Sequence, residues 1–296
     1  MKRNVALLTL SVFALLPFST LAAQVPALDA LKASYPASSL YNSVPLPGMP
    51  ALYNADRIPE SSLAGEQLFD YLHEATAPAP RKALPSYSAS KSFMYSIADN
   101  AGCNGGPGIV TFYSQICVNG ASSNGGDYSE RGDLNKDGVV DAFINAEHLW
   151  PQSYFNSSLP MVADLHHLAP TFVTPNGRRG NLKFAKVASA TYSTSAGSKL
   201  GKEGFEPADA VKGNAARAIL YFVVRYNDRN IRQGMDYNAF WTKNVPMLLE
   251  WNRQDPPDAN ERRRNSAVED FQGNRNPFID NPELADKIGE LVFRAH

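Results

Sequence analysis

The chain has 296 residues, 44% of them hydrophobic and 10% aromatic, with 28 basic against 29 acidic residues. That composition supplies a packed core and excludes a disordered or collagen-like chain. The near-neutral balance excludes a protein that holds polyanions by bulk charge, so any nucleic-acid binding has to come from a local basic patch.

The first segment reads as an export leader. Lys2 and Arg3 precede an apolar run from Val5 to Phe18, and small residues follow at Ser19, Thr20, Ala22 and Ala23. A charged start, a short apolar stretch and a small-residue cleavage zone predict a signal peptide over residues 1–23. The run is broken by Thr9, Ser11 and Pro17 and is shorter than the roughly 20 apolar residues of a bilayer span. No later stretch is long enough either, so no membrane partner is expected. Loss of Lys2 and Arg3 from the 28 basic residues leaves 26 against 29 acids.

Residues 24–62, rich in Pro, Ser and Tyr without a period, are predicted to form an irregular arm. Residues 63–296 are read as the folded domain. A helix is predicted over Leu63–Glu74, stopped by Thr-Ala-Pro-Ala-Pro. Within a Gly/Asn/Ser-rich stretch from Asn100 to Asp127, the segment Ile109–Val118 has strand character. Cys103 and Cys117 are the two cysteines; in an exported chain such a pair predicts one disulfide. Gly213–Arg229 places Ala216, Ile219, Val223 and Tyr226 on one helical face. A second helix is expected over Phe240–Trp251, limited by Pro246. A third follows Asn281-Pro282-Glu283, with Asn281 as cap and Leu284, Ile288, Leu291 and Val292 as its buried stripe. Strands mixed with helices and no repeat make the fold class α+β.

The chemistry concentrates in Asn145-Ala-Glu-His-Leu-Trp-Pro-Gln-Ser153, Asp164-Leu-His-His-Leu-Ala-Pro170 and Asn176-Gly-Arg-Arg-Gly-Asn181. A carboxylate, a carboxamide and a histidine so close in sequence suit a one-metal hydrolytic site. Glu and Asn offer hard oxygen ligands, which favour Mg²⁺ over zinc, and a neutral His can take a proton from water. On spacing alone the alternatives stay open. A Glu-His pair is commonly a solvated surface pair, His166 and His167 can simply hold a turn, and Asn176-Gly177 is a common turn dipeptide. Adjacent Glu147 and His148 also face opposite sides of a regular strand, so they converge only where the strand ends or bulges.

These strings resemble the endonuclease I family, a branch of the ββα-metal (His-Me finger) nucleases. Further matches run in the same order: Lys212-Gly-Asn-Ala-Ala-Arg217, Arg225-Tyr226, Trp251 with Asp255-Pro-Pro257, and Gln272-Gly-Asn-Arg-Asn-Pro-Phe-Ile-Asp280. The resemblance implies an α+β domain built around a ββα finger with several C-terminal helices. It implies His148 as the water-activating base and Glu147 and Asn176 as ligands of Mg²⁺, for which Mn²⁺ can substitute. The implied activity is endonucleolytic hydrolysis of DNA, RNA or both, with little sequence preference and 5′-phosphorylated products, outside the cell or in the periplasm. No protein partner is implied. Members with a third, phosphate-steadying basic residue carry it in an insertion after the Glu-His pair; here the segment between Ser153 and Asp164 contains no Arg or Lys. Arg179, with Arg178 as the alternative, is expected to take that role, and Arg178 and Lys183 to hold substrate phosphates. His167 stands where many relatives have Asn. Gln272–Asp280 is read as a structural latch, Trp150 as a core aromatic, and Arg262, Arg263 and Arg264 as a solvated face.

Just upstream, Asp133-Leu-Asn135-Lys-Asp137-Gly138-Val139-Val-Asp141 follows the first nine positions of an EF-hand-type loop (133–144). Asp133, Asn135, Asp137, the Val139 carbonyl and Asp141 are the candidate ligands of a structural Ca²⁺. Position 12 is Ile144, so the bidentate carboxylate is missing there. A polar turn without an ion is the alternative. Two other function classes remain: a calcium-loop module that binds a protein partner, and a zinc hydrolase using His148, His166 and His167. A single loop weighs against the first, and the absence of His-Glu-x-x-His against the second.

Overall fold

The computed structural model describes residues 62–77 and 85–296. The predicted leader (1–23) and all of the predicted arm except Ser62 lie outside the described residues. Helix α1, Gly65–Ala75, buries Leu68, Phe69 and Leu72, a spacing that puts all three on one helical face. Helix α2, Tyr87–Phe93, starts at Ser86, whose hydroxyl accepts the Ala89 N–H at 3.2 Å. It runs into a π-helical turn, Met94–Ala98.

The single strand expected over Ile109–Val118 is instead a hairpin. Strands β1 (Gly108–Val110) and β2 (Cys117–Asn119) pair antiparallel with Ile109 opposite Val118. The chain reverses where Gln115 takes φ 53° and donates its N–H to Thr111 O at 2.8 Å. The reversal sends Tyr113 fully into the core. Cys103 and Cys117 form the expected disulfide, Cα–Cα 5.9 Å, and tie the preceding loop to β2.

Strands β3 (Ile144–His148) and β4 (Leu168–Phe172) form a second antiparallel pair, with Glu147 opposite Ala169 and His148 opposite Leu168. Helix α3, Val173–Arg179, leaves β4 without a linker. A three-stranded sheet follows: β5 (Tyr192–Ser193), β6 (Lys199–Gly201) and β7 (Gly204–Glu206).

Helix α4, Lys212–Tyr226, is buried at every position from Ala215 to Val224. It is therefore the central helix of the main core, not a surface helix with one apolar stripe. The core gathers α1, Trp150, Phe155 and the C-terminal helices around it. Trp150 is fully buried, stacks on Phe222 and donates its indole N–H to Ile231 O. Helix α5 is Val245–Gln254; Pro246 falls in its first turn, where a missing N–H costs nothing, and the expected first half is a separate π turn, Asn238–Thr242. Gly213 lies so close to the end of α5 that an added Cβ would stand 1.8 Å from Asp255 O. That contact explains why a glycine stands in the first turn of α4.

Helices α6 (Ala259–Gln272), α7 (Pro277–Asp280), α8 (Leu284–Ile288) and α9 (Glu290–Ala295) close the molecule. Asn281 does not cap the helix as expected: its side chain accepts the Glu283 N–H at 3.2 Å within a turn, and the helix begins only at Leu284, with Glu283 at its N-cap and no side-chain bond there. The stripe departs from expectation: Gly289 at φ 85° breaks the helix and shifts its phase. Leu291 is consequently 82% exposed and Phe293 is buried in its place. The arginines of α6 are not a solvated face. Arg263 donates to Ala98 O, and Arg264 to Leu165 O, Leu168 O and Asp99. They hold the entry to β4.

Candidate active site

The geometric objection to a Glu-His pair is removed by where β3 stops. His148 is its last residue, and both side chains line one cleft of about 1030 Å³. Asn145, Asn176 and Gln152 lie in the same cleft. Helix α2 also lines this cleft through Tyr87, Ser88, Lys91 and Ser92.

Glu147 is buried. Its Oε1 accepts the Tyr113 hydroxyl at 2.7 Å and Arg179 Nη1 at 2.7 Å. Burial pushes its carboxyl up, against the pull of Arg179 and Tyr113. Both bonds fall on Oε1, so Oε2 is committed to neither. Asn176 in α3 donates Nδ2 to Asn145 Oδ1 at 2.6 Å. That bond leaves the amide oxygen as the end that can meet a cation. A carboxylate oxygen and an amide oxygen in one cleft fit the small, oxygen-preferring Mg²⁺ or Mn²⁺, which keeps most of its waters. Among the described residues no three His, Cys, Asp or Glu side chains form a metal-binding group, and this donor pair has only one such residue.

His148 Nε2 lies 3.1 Å from Val162 O. A carbonyl only accepts, so Nε2 carries the proton and Nδ1 is the basic nitrogen. Burial pushes the imidazole down to about 3, helped by the charges of His167, Arg179 and Lys91 and opposed by the Val162 carbonyl. The ring is neutral at physiological pH. Tyr87 packs against it at 5.4 Å between centroids.

Arg179 does not reach a phosphate position. Its side chain is fully buried, with Nη1 on Glu147 Oε1 and His148 O, and Nη2 on Leu149 O at 2.5 Å. The phosphate contact expected of it is thereby corrected: the guanidinium sits behind β3 and positions the carboxylate. Arg178 is exposed above the Tyr192 ring, and Lys186 pairs with Glu250 at 2.7 Å. Gly177, Gly180 and Asn181 line the cleft, while Arg178 and Lys183 do not.

The Asp164 string is architectural. Asp164 accepts Tyr221 and Tyr226 hydroxyls on Oδ2, and the His166 N–H and Gln272 Nε2 on Oδ1. His166 and His167 each donate Nε2 to a carbonyl, Asn274 O at 3.0 Å and Met161 O at 2.6 Å. His167 is shut inside the core with neither ring nitrogen in the cleft, and His166 is equally buried. A zinc site built from the three histidines has no support here. Gln272, Asn274 and Asn276 form the expected latch, reaching Leu165 N, Thr76 O and Arg217 O.

In the loop upstream of β3, Asp133 accepts the N–H groups of Asp137 and Gly138, and Asp137 accepts that of Val139. Gly138 takes φ 90°. Asp141 Oδ1 accepts Thr174 N–H at 2.8 Å, whereas its buried Oδ2 has no partner. The loop thus joins β3 to the first turn of α3.

Sequence reasoning gave no role to Tyr113, Tyr87 or Lys91. Tyr113 was hidden inside an apparent strand, and Tyr87 and Lys91 lie more than fifty residues before the motif strings with no motif of their own. Asn145 stood two residues before Glu147, on the same face of the strand, and that spacing was the available signal.

An Endonuclease I family model matches residues 81–283, more than half of the chain. An extracellular ribonuclease of Bacillus amyloliquefaciens is 40% identical over 154 residues, 49% of this chain and 53% of that protein. One from Bacillus subtilis (strain 168) has the same figures. An extracellular deoxyribonuclease of Aeromonas hydrophila is 31% identical over 125 residues, 40% of this chain and 50% of that protein. The chain spans about half the length of these curated relatives. The strand that ends on Glu147-His148, its partner β4 and the helix bearing Asn176 all fall within the matched region, and the chain belongs to the Endonuclease I family.

Proposed function

We propose that this chain is an endonuclease that acts outside the cell or in the periplasm and hydrolyses phosphodiester bonds of DNA and RNA with little sequence preference. What carries the reading is the meeting of His148, Glu147 and Asn176 in one cleft, with His148 neutral and turned so that Nδ1 is its free base. The relatives named above divide between ribonucleases and a deoxyribonuclease, and the same phosphodiester occurs in both substrates.

Glu147 and Asn176 would hold Mg²⁺ or Mn²⁺ through the oxygens their partners leave uncommitted. When bound, such an ion neutralises charge on the phosphate and on the departing 3′ oxygen. His148 Nδ1 takes a proton from water as its oxygen bonds to phosphorus. The P–O3′ bond breaks, the 3′ oxygen collects a proton from solvent, and the phosphate stays on the 5′ side. Arg179 and Tyr113 fix Glu147, and Asn145 fixes Asn176, so neither ligand has to be ordered when substrate arrives.

The test uses supercoiled plasmid and a single-stranded RNA, each with Mg²⁺, with and without EDTA, beside His148→Ala. The wild type nicks and then degrades the plasmid and shortens the RNA, chelation stops both, and the variant loses on the order of 10²–10⁴-fold in rate. Full activity in His148→Ala overturns the assignment.

The same reading gives the loop 133–141 a structural Ca²⁺, held by Asp133, Asn135, Asp137, the Val139 carbonyl and Asp141. Its support is the buried Asp141 oxygen that has no partner. Such an ion would brace both β3 and, through Thr174, the helix carrying Asn176.

A further inference from the structure

A phosphodiester carries one negative charge, and its hydrolytic transition state spreads more over the phosphate oxygens. A single divalent ion on two protein ligands faces only one side of that group. The residues expected to face the other side are elsewhere. Arg179 is buried behind β3, Arg178 and Lys183 stand outside the cleft, and the segment from Ser153 to Asp164 contains no cation.

Helix α2 resolves the shortage. It lines the same cleft as Glu147 and Asn176 through Tyr87 and Lys91, and Tyr95 of the following π turn continues that four-residue spacing. Among the described residues that line the cleft, Lys91 is the one Lys or Arg. Its ammonium lies 4.5 Å from the centroid of the Tyr87 ring, and that ring packs on His148. The cation–π contact holds the stem beside the base without consuming the charge. Among the described residues Lys91 pairs with no carboxylate, unlike Lys186 and Lys212, which do.

We propose that Lys91 is a catalytic residue that contacts a non-bridging oxygen of the scissile phosphate from the α2 wall. It would supply there the positive charge that the short Ser153–Asp164 segment lacks. This rests on the nuclease reading above and assigns a residue that neither motif nor spacing indicated. No bond to Lys91 forms or breaks; it stabilises charge only.

The experiment compares wild type, Lys91→Met and Lys91→Arg on two substrates: plasmid DNA and bis(p-nitrophenyl) phosphate, a diester with no flanking phosphates. Met keeps the apolar stem on Tyr87, and matched melting curves verify that it folds. A charge on the scissile phosphate predicts that kcat falls about 100-fold in Lys91→Met on both substrates. KM should change little, and Lys91→Arg should recover most of the rate. Loss on plasmid alone, mainly in KM, would place Lys91 on a flanking phosphate and overturn the proposal. Wild-type rates in Lys91→Met on both substrates would overturn it too. A wild type inactive on both would instead sink the nuclease reading itself, which His148→Ala cannot do.

Discussion

Glu147 and Arg179 are both buried and joined at 2.7 Å, so each depends on the other for charge balance. Removing one partner of such a pair leaves an uncompensated buried charge and costs about 3–5 kcal/mol. Arg179→Met is therefore expected to lower unfolding stability by that order in denaturant titration, and to abolish activity. Adding Glu147→Gln should recover part of the stability and none of the activity. Unchanged stability in the single variant would mean that the pair does not hold this part of the molecule. At this scale the sequence was half legible. It named Glu147, His148 and Asn176, and the structure brings them into one cleft. It put Arg179 on the phosphate because charge can be read from sequence and burial of an arginine cannot. Lys91, the residue proposed above, left no signal for the complementary reason: its place in the cleft, over the Tyr87 ring, comes from the packing of α2, which no local string encodes.

Elements whose boundaries are set by local chemistry were the readable ones. Pro246 acted where it was expected to, while Asn281 closed a turn one step ahead of the helix it was expected to cap. Gly289 shows the limit, since a glycine in a helical pattern does not announce whether it will be tolerated or will take φ 85° and turn Leu291 outward. The hairpin at 108–119 was read as one strand because Val, Thr, Phe and Tyr suit a pleated surface on either side of a reversal. The loop before β3 belongs to this scale as well. If Asp141 completes a calcium site, calcium should raise the wild-type melting temperature relative to EDTA, and Asp141→Asn should remove that increment. The comparison is of increments, because Asp141 also accepts the Thr174 N–H and its substitution can destabilise the loop in any buffer. A wild type indifferent to calcium would reduce the loop to a self-bonded turn.

At the scale of the described residues, a larger core built on α4 reaches from Leu63 to Phe293, a second gathers around β1–β4, and the polar groups buried among them set how stability responds to pH. His166 and His167 each have Nε2 on a carbonyl and a buried Nδ1 without a partner. A proton on Nδ1 would have no acceptor, and burial holds both rings down to about 4. The unfolded chain protonates them near 6.5. Between those values the unfolded state binds more protons, so stability is complete above about pH 6.5 and falls on acidification toward 4. Each histidine contributes up to about 1.4 kcal/mol per pH unit in that window. Melting temperatures measured from pH 7.5 to 4.5 should decline, and His167→Asn should flatten the decline; a level profile in the wild type would refute this account of the core.

The claim on which the rest depends is that Glu147 and Asn176 share one divalent ion beside His148. Diffraction from crystals soaked in Mn²⁺, recorded where manganese scatters anomalously, tests it most directly. The account predicts an anomalous peak about 2.2 Å from both a Glu147 carboxylate oxygen and the Asn176 amide oxygen, the range of hard-cation ligand bonds. A peak elsewhere in the molecule, with these two side chains uncoordinated, would contradict it.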